Sequence, residues 1–397
     1  MKQNRAGTVM LAVLTVMIIV VALLTQPKPH KLVNLLPGAD RDLLTAQQIG
    51  ILYNYSVHFP NETEISIALI DGDSVKYIGA RRQDDSLVFV ENREDIFDVG
   101  SITKTFTGIA LAKMVQSRAI SLDEPIKNLL PVQLHESARN GKEITVADLA
   151  SHTSGLPRDI DDGSPAQPSF AGPGGNKRDK LYDYLSNRCR LSSTPGEKRS
   201  YSNLGYILLA RILALTCHKT YEQLVSEAVT SPLHMQNTFV YLRERSRTNL
   251  VDGRDAEGGE LGYSDPDENI LGAGGVKSNA IDLVKYVKAC IADTSYFALA
   301  GKSLFAEDEH SNSCMGWGFY RNDGVDYYGA FGNTEGFSAG IIFEKTTRVG
   351  LVLLSNIPAY VSGKVDYIPR LCRELHGSVC TPKLSVMRRQ KMESSSD

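Results

Sequence analysis

The pattern of apolar and polar residues predicts strands in two parts of the chain, one near each end. Apolar residues alternate over residues 64–70, and residues 75–80 follow a short Asp- and Gly-containing turn, which predicts a β-hairpin. Residues 86–91 add a third strand. Residues 337–344 and 349–355 predict a second hairpin near the C-terminus.

Helical periodicity dominates the region between these hairpins. Strands at both ends with helices between them predict one antiparallel sheet flanked by helices, with an inserted all-helical subdomain. This is an α/β fold of the α+β type. The predicted helices are residues 42–55, 102–117, 145–151, 179–187, 203–215, 219–229, 282–291 and 363–375.

The N-terminal segment has the pattern of a membrane anchor or a signal peptide. Lys2 and Arg5 precede an apolar run at residues 9–24 that only Thr15 interrupts. With its flanking small residues, such a helix approaches the ~30 Å of a bilayer core. Both interpretations place the rest of the chain outside the cytoplasm, in the periplasm if the host is bacterial. We expect an uncleaved anchor, because no clear cleavage site follows the run.

Composition restricts the function classes. The 397 residues include 43 Lys+Arg and 46 Asp+Glu, for a formal net charge of −3, so we predict no nucleic-acid partner. The histidines show no metal-ligand spacing. The predicted organisation is an anchor or signal peptide at 1–25, a linker at 26–40, a catalytic domain at 41–380 with its helical insertion at roughly 118–270, and a polar disordered tail at 381–397.

The cysteines fit an oxidising compartment. None occurs in a Cys-x-x-Cys motif, and their even number predicts disulfides. Buried free thiols are the alternative. The predicted pairs join sequence neighbours: Cys189 with Cys217, Cys290 with Cys314, and Cys372 with Cys380.

The strongest local pattern runs from Gly100 to Lys104, where a strand-like approach ends and a predicted helix begins. Residues three apart share a helical face, so Lys104 can reach the Ser101 hydroxyl. The helix N-terminus also favours an anion developing there. A free lysine, with a pKa of about 10.4, acts as a base at neutral pH only if its surroundings lower that pKa. A simple N-cap role for Ser101 is the alternative.

A second pattern, Tyr201-Ser202-Asn203, opens the helix predicted at residues 203–215. A tyrosine hydroxyl can pass a proton to a leaving group, and an asparagine amide both donates and accepts hydrogen bonds. Taken alone, the pattern is more typical of an ordinary capped helix start.

A third pattern, Gly332-Asn333-Thr334-Glu335-Gly336, precedes the strand predicted at residues 337–344. Its glycines would let a substrate backbone approach the strand edge closely. A plain hairpin turn is the alternative.

In this order and at these separations, the three patterns resemble the penicillin-recognising serine hydrolases, in the branch of class C β-lactamases, serine D,D-peptidases and related esterases. That family carries Ser-x-x-Lys, then Tyr-x-Asn, then Lys- or His-Thr-Gly on an edge strand. The resemblance covers about residues 45–376 and implies a β-lactamase/transpeptidase-like fold. Further similar phrases lie at residues 121–125, 144–149, 151–157, 273–278 and 315–318.

The resemblance implies a role for each matched residue. Ser101 would form an acyl-enzyme, with Lys104 and Tyr201 as the coupled general base and acid. Asn203 would hold Lys104 and the substrate amide. The backbone N–H groups of Ser101 and Gly336 would form the oxyanion hole. No metal or other cofactor is implied.

The third pattern departs from the family. Asn333-Thr334-Glu335 stands where Lys- or His-Thr-Gly is usual, so a neutral amide replaces a cation or imidazole. In the family that group helps to bind a substrate carboxylate, and we therefore expect altered carboxylate recognition. Glu335 either faces the cleft, where it would favour a cationic substrate group, or faces solvent.

Two other motifs are interpreted as structural. Residues 336–340 match Gly-x-Ser-x-Gly, but a strand follows where a nucleophile elbow needs a helix, so Ser338 is read as a strand residue. His152 is read as a loop hydrogen-bonding residue that positions the turn at Ser154 and Gly155.

The sequence therefore predicts a serine hydrolase that cleaves an amide or ester bond through a Ser101 acyl-enzyme. Peptidase chemistry of the D,D-peptidase type, on a peptide or cell-wall-type substrate, ranks ahead of carboxylesterase chemistry, and β-lactamase chemistry ranks third because of Asn333. A catalytically weak binding or regulatory member of the same fold is the alternative from a different class. The predicted partners are the small-molecule or peptide substrate and, through the N-terminal segment, a membrane.

Overall fold

The structure, a computed structural model, describes residues 32–36, 43–160, 177–242, 248–262, 265–266, 268, 270–293, 295–322, 325–361 and 365–394. The predicted anchor at residues 1–25 lies outside these ranges, as does most of the predicted linker. Within the described ranges, no helix is both long enough and apolar enough to cross a bilayer.

The described residues contain 18 strands, and ten of these form one large sheet. In chain order the strands are β1 (Val33–Asn34), β2 (Glu64–Asp71), β3 (Ser74–Gln83), β4 (Ser86–Val90), β5 (Phe97–Asp98), β6 (Ala138–Arg139), β7 (Lys142–Glu143), β8 (Gly253–Arg254), β9 (Glu260–Leu261), β10 (Lys277–Ser278), β11 (Phe305–Ala306), β12 (Ser311–Ser313), β13 (Gly318–Asn322), β14 (Val325–Asn333), β15 (Ser338–Glu344), β16 (Val349–Ser355), β17 (Tyr360–Val361) and β18 (Val365–Asp366). The sheet order is β1-β4-β3-β2-β16-β15-β14-β13-β12-β11. Only the short β1 pairs in parallel with its neighbour.

The pairing of β2 with β16 joins the two ends of the chain. Ile67 lies opposite Leu353, and Leu69 lies opposite Leu351, in antiparallel register. Both strands are buried over almost their whole length, because helices cover both faces of the sheet. The predicted antiparallel sheet built from N- and C-terminal parts is therefore confirmed.

The helices surround this sheet and fill the region between β5 and β10. Several begin with a capping box, in which a threonine side chain and the side chain three residues later exchange hydrogen bonds with the backbone. The α-helices are α1 (Ala46–Ser56), α2 (Thr103–Gln116), α3 (Val146–Ala150), α4 (Lys177–Asn187), α5 (Asn203–Cys217), α6 (Tyr221–Val225), α7 (Ala280–Ala292), α8 (Ser295–Ala300) and α9 (Tyr367–Ser394).

The sheet separates two hydrophobic cores. On one face, Phe106 of α2 packs in a cluster with Leu208 of α5. On the other face, Leu52 of α1 packs in a second cluster with Leu371 of α9. Helix α2 is buried around almost its whole circumference. A helix enclosed in this way holds the residues at its N-terminus in fixed positions.

The C-terminal helix is longer than its predicted 363–375. It runs as Tyr367–Ser394 and so includes residues 381–394 of the segment predicted to be a disordered tail. Pro382 lies inside the helix. The residues that follow Pro382 include good helix formers, which explains why the proline does not end the helix. Residues 395–397 lie outside the described ranges.

The predicted disulfides are absent, because all six cysteines are free thiols. Cys372 and Cys380 both lie on α9. Eight residues of helix separate their Cα atoms by about 12 Å, whereas a disulfide needs less than about 7 Å. The thiols of Cys189 and Cys290 are buried, as expected for a small apolar side chain.

We predict that thiol titration of the denatured protein without reductant will find all six cysteines reactive. The physical reason is that all six thiols are free, so denaturation exposes the five that are buried without any disulfide to reduce. Peptide mapping without reduction gives the second measurement. A peptide joined through Cys372 and Cys380, or through any other pair, would contradict the prediction.

Candidate active site

The candidate nucleophile lies at a sharp entry into a buried helix. Ser101 is in the 3-10 turn Gly100–Ile102, which leads from β5 into α2. Gly100 has a φ of 49°, and a Cβ atom there would lie 2.7 Å from the backbone nitrogen of Asn333. Glycine is therefore required at this turn, both for its conformation and for the close approach of β14.

Lys104 lies one turn further along the same helix face, and its side chain is held by three oxygen atoms. Its Nζ is 3.0 Å from Ser101 Oγ, 2.8 Å from Asn203 Oδ1 and 2.8 Å from the carbonyl oxygen of Ala273. An ammonium group has three hydrogens, so these oxygens can satisfy all of them. The residue is only 2% exposed.

Burial lowers the pKa of Lys104 below its ordinary value of 10.5. The charge of Arg158 lowers this pKa further, while Tyr201 and Asp159 act in the opposite direction. A buried amine with a lowered pKa spends more time neutral at physiological pH. Lys104 is therefore suited to accept the proton of Ser101.

Tyr201 contacts the same hydroxyl. Its Oη donates a 2.8 Å hydrogen bond to Ser101 Oγ. Burial alone raises the pKa of Tyr201, but the Lys104 charge, the hydrogen bonds that Tyr201 shares with Lys104 and Ser101, and the Arg158 charge outweigh burial. The pKa of Tyr201 consequently lies below its ordinary value of 10.0. Both proton carriers next to Ser101 thus have pKa values shifted towards neutrality.

The start of α5 positions Tyr201 and Asn203. Ser202 caps the helix by accepting a hydrogen bond from the Gly205 N–H, and its own hydroxyl donates to the Pro157 carbonyl. The Ser202 N–H donates to His152 Nδ1. These bonds fix the tripeptide, so the two alternate residues Tyr201 and Asn203 are both directed at Lys104.

His152 is a structural neighbour of this tripeptide. Its ring packs on Tyr201 at a centroid distance of 4.4 Å. Burial, followed by the charges of Lys104 and Arg199, lowers the pKa of His152 well below 6.5. The imidazole is therefore neutral, and Nδ1 is the acceptor for Ser202. It positions the Tyr201 segment rather than the predicted turn at Ser154.

A further contact was missed from the sequence. Asn203 Nδ2 donates a 2.8 Å hydrogen bond to Asp159 Oδ1. The carboxylate of Asp159 also pairs with Arg158, with Nε and Oδ2 3.4 Å apart. Asp159 lies on a loop 44 positions from Asn203. No local spacing could have connected the two residues before the fold was known.

The exposed end of β14 lies on the other side of the site from α2 and α5. A cavity of about 370 Å³ is lined by Ser101, Lys104, Tyr201 and Asn203 together with residues 329–333. Asn333 reaches the cavity, but its Oδ1 accepts a hydrogen bond from the Ala359 N–H.

Thr334, Glu335 and Gly336 do not line this cavity, contrary to the sequence prediction. They form the turn between β14 and β15, in which Thr334 bonds to Phe337 in both directions. Glu335 is exposed. The turn places these three residues beyond the end of the strand. The missing signal was β14 itself, which the sequence pattern did not predict.

The close contact with the nucleophile is made by Gly332. A Cβ atom there would lie 1.9 Å from the Val99 carbonyl oxygen and 3.0 Å from the Ser101 nitrogen. If this glycine takes the last position of the edge-strand motif, the motif is Ala330-Phe331-Gly332. Ala330, rather than Asn333, then stands at the position where the family has Lys or His.

Two arginines missed by the sequence analysis also line the cavity. Arg158 lies over the Tyr201 ring, with its guanidinium carbon 5.0 Å from the centroid. Arg199 is held through its Nε by Glu307 and Ser313.

Within the described ranges, no group of three or more His, Cys, Asp or Glu side chains could hold a metal ion.

A protein-family model described as Beta-lactamase matches residues 67–370, which is most of the chain. The chain belongs to this family. The match includes the turn at Ser101, the start of α5 and the end of β14. The family assignment made from the three sequence patterns is therefore confirmed.

Curated relatives extend the comparison. The D-alanyl-D-alanine-carboxypeptidase/endopeptidase AmpH of Escherichia coli is 31% identical over 207 residues, which cover 51% of each chain. Protein flp of Staphylococcus aureus is 24% identical over 298 residues, covering 72% of this chain and 57% of the relative. The chain thus spans little more than half the length of these relatives.

Two solved structures share the fold. The octameric penicillin-binding protein homologue from Pyrococcus abyssi superposes with a TM-score of 0.67 at 22% identity, covering 84% of this chain and 76% of the other. The beta-lactamase/D-alanine carboxypeptidase from Pseudomonas syringae gives a TM-score of 0.68 at 19% identity, covering 83% and 97%.

We predict that Gly332→Ala will slow phosphonylation of Ser101 by a fluorophosphonate about 10²-fold, the effect typical of a ~1 Å misplacement of reacting groups. The added methyl group meets backbone atoms of Val99, so either β14 or the Ser101 turn must move. The measurement is the second-order labelling rate. Gly50→Ala is the control, because a Cβ atom there has nothing within 4 Å. Equal labelling rates for both variants would contradict the proposed fit of β14 against the nucleophile.

Proposed function

We propose that the chain is a serine acyl-hydrolase of the D,D-peptidase type, cleaving an amide bond in a peptide or cell-wall-type substrate through a Ser101 acyl-enzyme. The observation that carries the proposal is the convergence of two proton carriers on one hydroxyl. Lys104 Nζ lies 3.0 Å and Tyr201 Oη 2.8 Å from Ser101 Oγ. A serine that only caps a helix needs neither of these two contacts.

In the proposed acylation, neutral Lys104 accepts the Ser101 proton as Oγ attacks the substrate carbonyl carbon. A tetrahedral intermediate forms, and its oxygen becomes negative. The C–N bond then breaks, and Tyr201 donates its proton to the departing amine. Lys104 returns a proton to Tyr201 through the hydrogen-bonded cluster, so the protons balance. Water later repeats the sequence on the ester carbonyl to release the acid.

The backbone N–H groups of Ser101 and Asn333 are the proposed oxyanion hole. Gly100 and Gly332 let the two segments that carry these nitrogens approach closely. A Cβ atom added to Gly100 would lie 2.7 Å from the Asn333 nitrogen, and one added to Gly332 would lie 3.0 Å from the Ser101 nitrogen. Two fixed N–H donors stabilise an oxyanion without reorganisation. This replaces Gly336, which lies in the hairpin turn, in the role expected from the sequence.

The choice of substrate class rests on two kinds of support. The carboxypeptidase names belong to AmpH and to the Pseudomonas syringae protein, and they favour peptide substrates. Ala330 and Phe331 on the cavity edge instead favour an apolar substrate group. A carboxylesterase is therefore the second candidate function, and a β-lactamase is the third. The intact cluster at Ser101 opposes a catalytically weak binding member.

We also propose that residues 1–25 anchor the protein in a membrane, with the catalytic domain extracytoplasmic. The support is the apolar run at residues 9–24 behind Lys2 and Arg5. Full-length protein should remain with membranes after alkaline carbonate washing, while a chain starting at residue 32 should be released. Release of both forms would contradict anchoring by this segment.

We predict that a fluorophosphonate probe will label the protein at Ser101 and that Ser101→Ala will abolish labelling. The reason is that Lys104 and Tyr201 activate this hydroxyl in the absence of any substrate. Mass spectrometry of the labelled peptide gives the position. A penicillin probe is tested in parallel.

Ser338→Ala is the matched control, because Ser338 is buried and donates to the Ile357 carbonyl. Its label should match that of the unaltered protein. Labelling by the phosphonate alone would favour the peptidase or esterase over the β-lactamase. A failure of every acylating agent to modify Ser101 would overturn the enzyme proposal.

A further inference from the structure

The amide of Asn203 must face one way for Lys104 to work as a base. Neutral Lys104 has two hydrogens and one lone pair. If the two hydrogens bond to Asn203 Oδ1 and to the Ala273 carbonyl, each 2.8 Å away, the lone pair is left for the Ser101 hydroxyl. The geometry of these two acceptors thus sets the direction of proton transfer.

A flipped amide would defeat this arrangement. Rotation of the Asn203 side chain by half a turn would exchange its oxygen for the NH₂ group. An NH₂ group next to an ammonium repels it, since both are donors. Next to a neutral amine, the same group would donate to the lone pair and occupy the position that the Ser101 proton needs. The flip is therefore most harmful in the protonation state that catalysis uses.

We propose that Asp159 is a positioning residue that prevents this flip and so keeps the Lys104 lone pair available to Ser101. The proposal rests on the proposed function of Ser101 as nucleophile. Asp159 touches none of the reacting atoms. Its Oδ1 accepts the 2.8 Å hydrogen bond from Asn203 Nδ2, and a carboxylate accepts only. This carboxylate accepts from the amide NH₂ group, and a Lys104 hydrogen needs the amide oxygen on the other side, so one amide orientation satisfies both contacts.

The backbone builds Asp159 into this position. The carbonyl of the preceding residue, Arg158, accepts hydrogen bonds from the Asn203 and Leu204 N–H groups, at 2.7 and 3.1 Å. The Pro157 carbonyl accepts the Ser202 hydroxyl at 2.6 Å. The loop that carries Asp159 is thus bonded to the first turn of α5. Its side chain is 19% exposed, so water competes little for the bond.

Charge alone gives Asp159 a smaller role. Its negative charge raises the pKa of Lys104, the opposite of what a base at neutral pH needs, and the neighbouring Arg158 lowers it. The charges of Asp159 and Arg158 form an ion pair 3.4 Å apart, so their effects on the pKa of Lys104 largely cancel. What remains is the directional hydrogen bond. An acceptor without charge should therefore replace Asp159.

The test compares Asp159→Asn with Asp159→Ala and Asp159→Leu. An asparagine oxygen can accept from Asn203 Nδ2, whereas alanine and leucine cannot. General bases typically contribute 10²–10⁴-fold, so we expect labelling of Ser101 by the fluorophosphonate to fall about 10- to 100-fold in the Ala and Leu variants. The Asn variant should stay within about threefold of the unaltered rate. Leucine guards against a packing defect left by alanine.

Asp183→Ala is a closely matched control. Asp183 also accepts a 2.8 Å hydrogen bond from an asparagine amide, that of Asn187, and pairs with Arg188. It lies on α4 outside the cavity. The same contacts are therefore lost without an effect on Lys104, and the labelling rate should not change. Thermal unfolding of every variant shows whether each is folded.

The outcomes separate this proposal from the proposed function. No labelling of the unaltered protein at Ser101 would sink the function itself. Normal labelling of the unaltered protein together with normal labelling of folded Asp159→Ala and Asp159→Leu would overturn only the positioning role. Equal losses in the Asn, Ala and Leu variants would also overturn it, because the effect would then follow the charge or the ion pair with Arg158.

Discussion

The structure depends on one buried amine. Lys104 has its Nζ among Ser101 Oγ, Asn203 Oδ1 and the Ala273 carbonyl, and bulk water scarcely reaches it. These three acceptors come from three separate parts of the chain: the turn before α2, the first residue of α5, and the segment before β10. An ammonium taken from water is stable only if such partners are in place. The helical region must therefore dock correctly against the sheet for the amine to be accommodated.

The same constraint explains the close packing around the nucleophile. Gly100 and Gly332 allow the Ser101 turn and the end of β14 to approach within backbone contact. Lys104 and Tyr201 approach Ser101 from the helical side, while β14 closes the opposite side. In the proposed function, the Ser101 hydroxyl thus lies between its two proton carriers and the backbone N–H groups of the oxyanion hole. The substrate side differs from the family pattern, with Ala330 and Phe331 on the strand edge and the cationic Arg158 near Tyr201.

Local geometry explains which features the sequence could predict. Ser101 and Lys104 are three residues apart at a helix start, so their contact follows from helical geometry alone. The β2 strand follows from its alternating apolar residues and β16 from its apolar run, and the family resemblance located Tyr201 and Asn203. The sequence could not choose between glycines 332 and 336 for the close approach to the Ser101 turn, because both fit a strand edge. In the structure it is Gly332 that packs against Val99.

Contacts between distant segments were beyond the sequence. Asp159 meets Asn203 across 44 positions, and nothing in either local pattern signals the pair. The disulfide prediction failed for a similar reason, since counting cysteines gives no information about their separation in the fold. The C-terminal helix, predicted to end at residue 375, runs to Ser394 in the structure.

The most direct test of the account is the pKa of Lys104 itself. NMR of protein labelled with ¹³C at lysine Cε resolves the titration of each amine, and the spectrum of Lys104→Arg identifies the signal by its absence. Because burial outweighs the other influences on this amine, its midpoint should lie below the ordinary value of 10.5. A midpoint at or above 10.5 would mean that Lys104 stays charged beside Ser101, and it would contradict the role of Lys104 as the base.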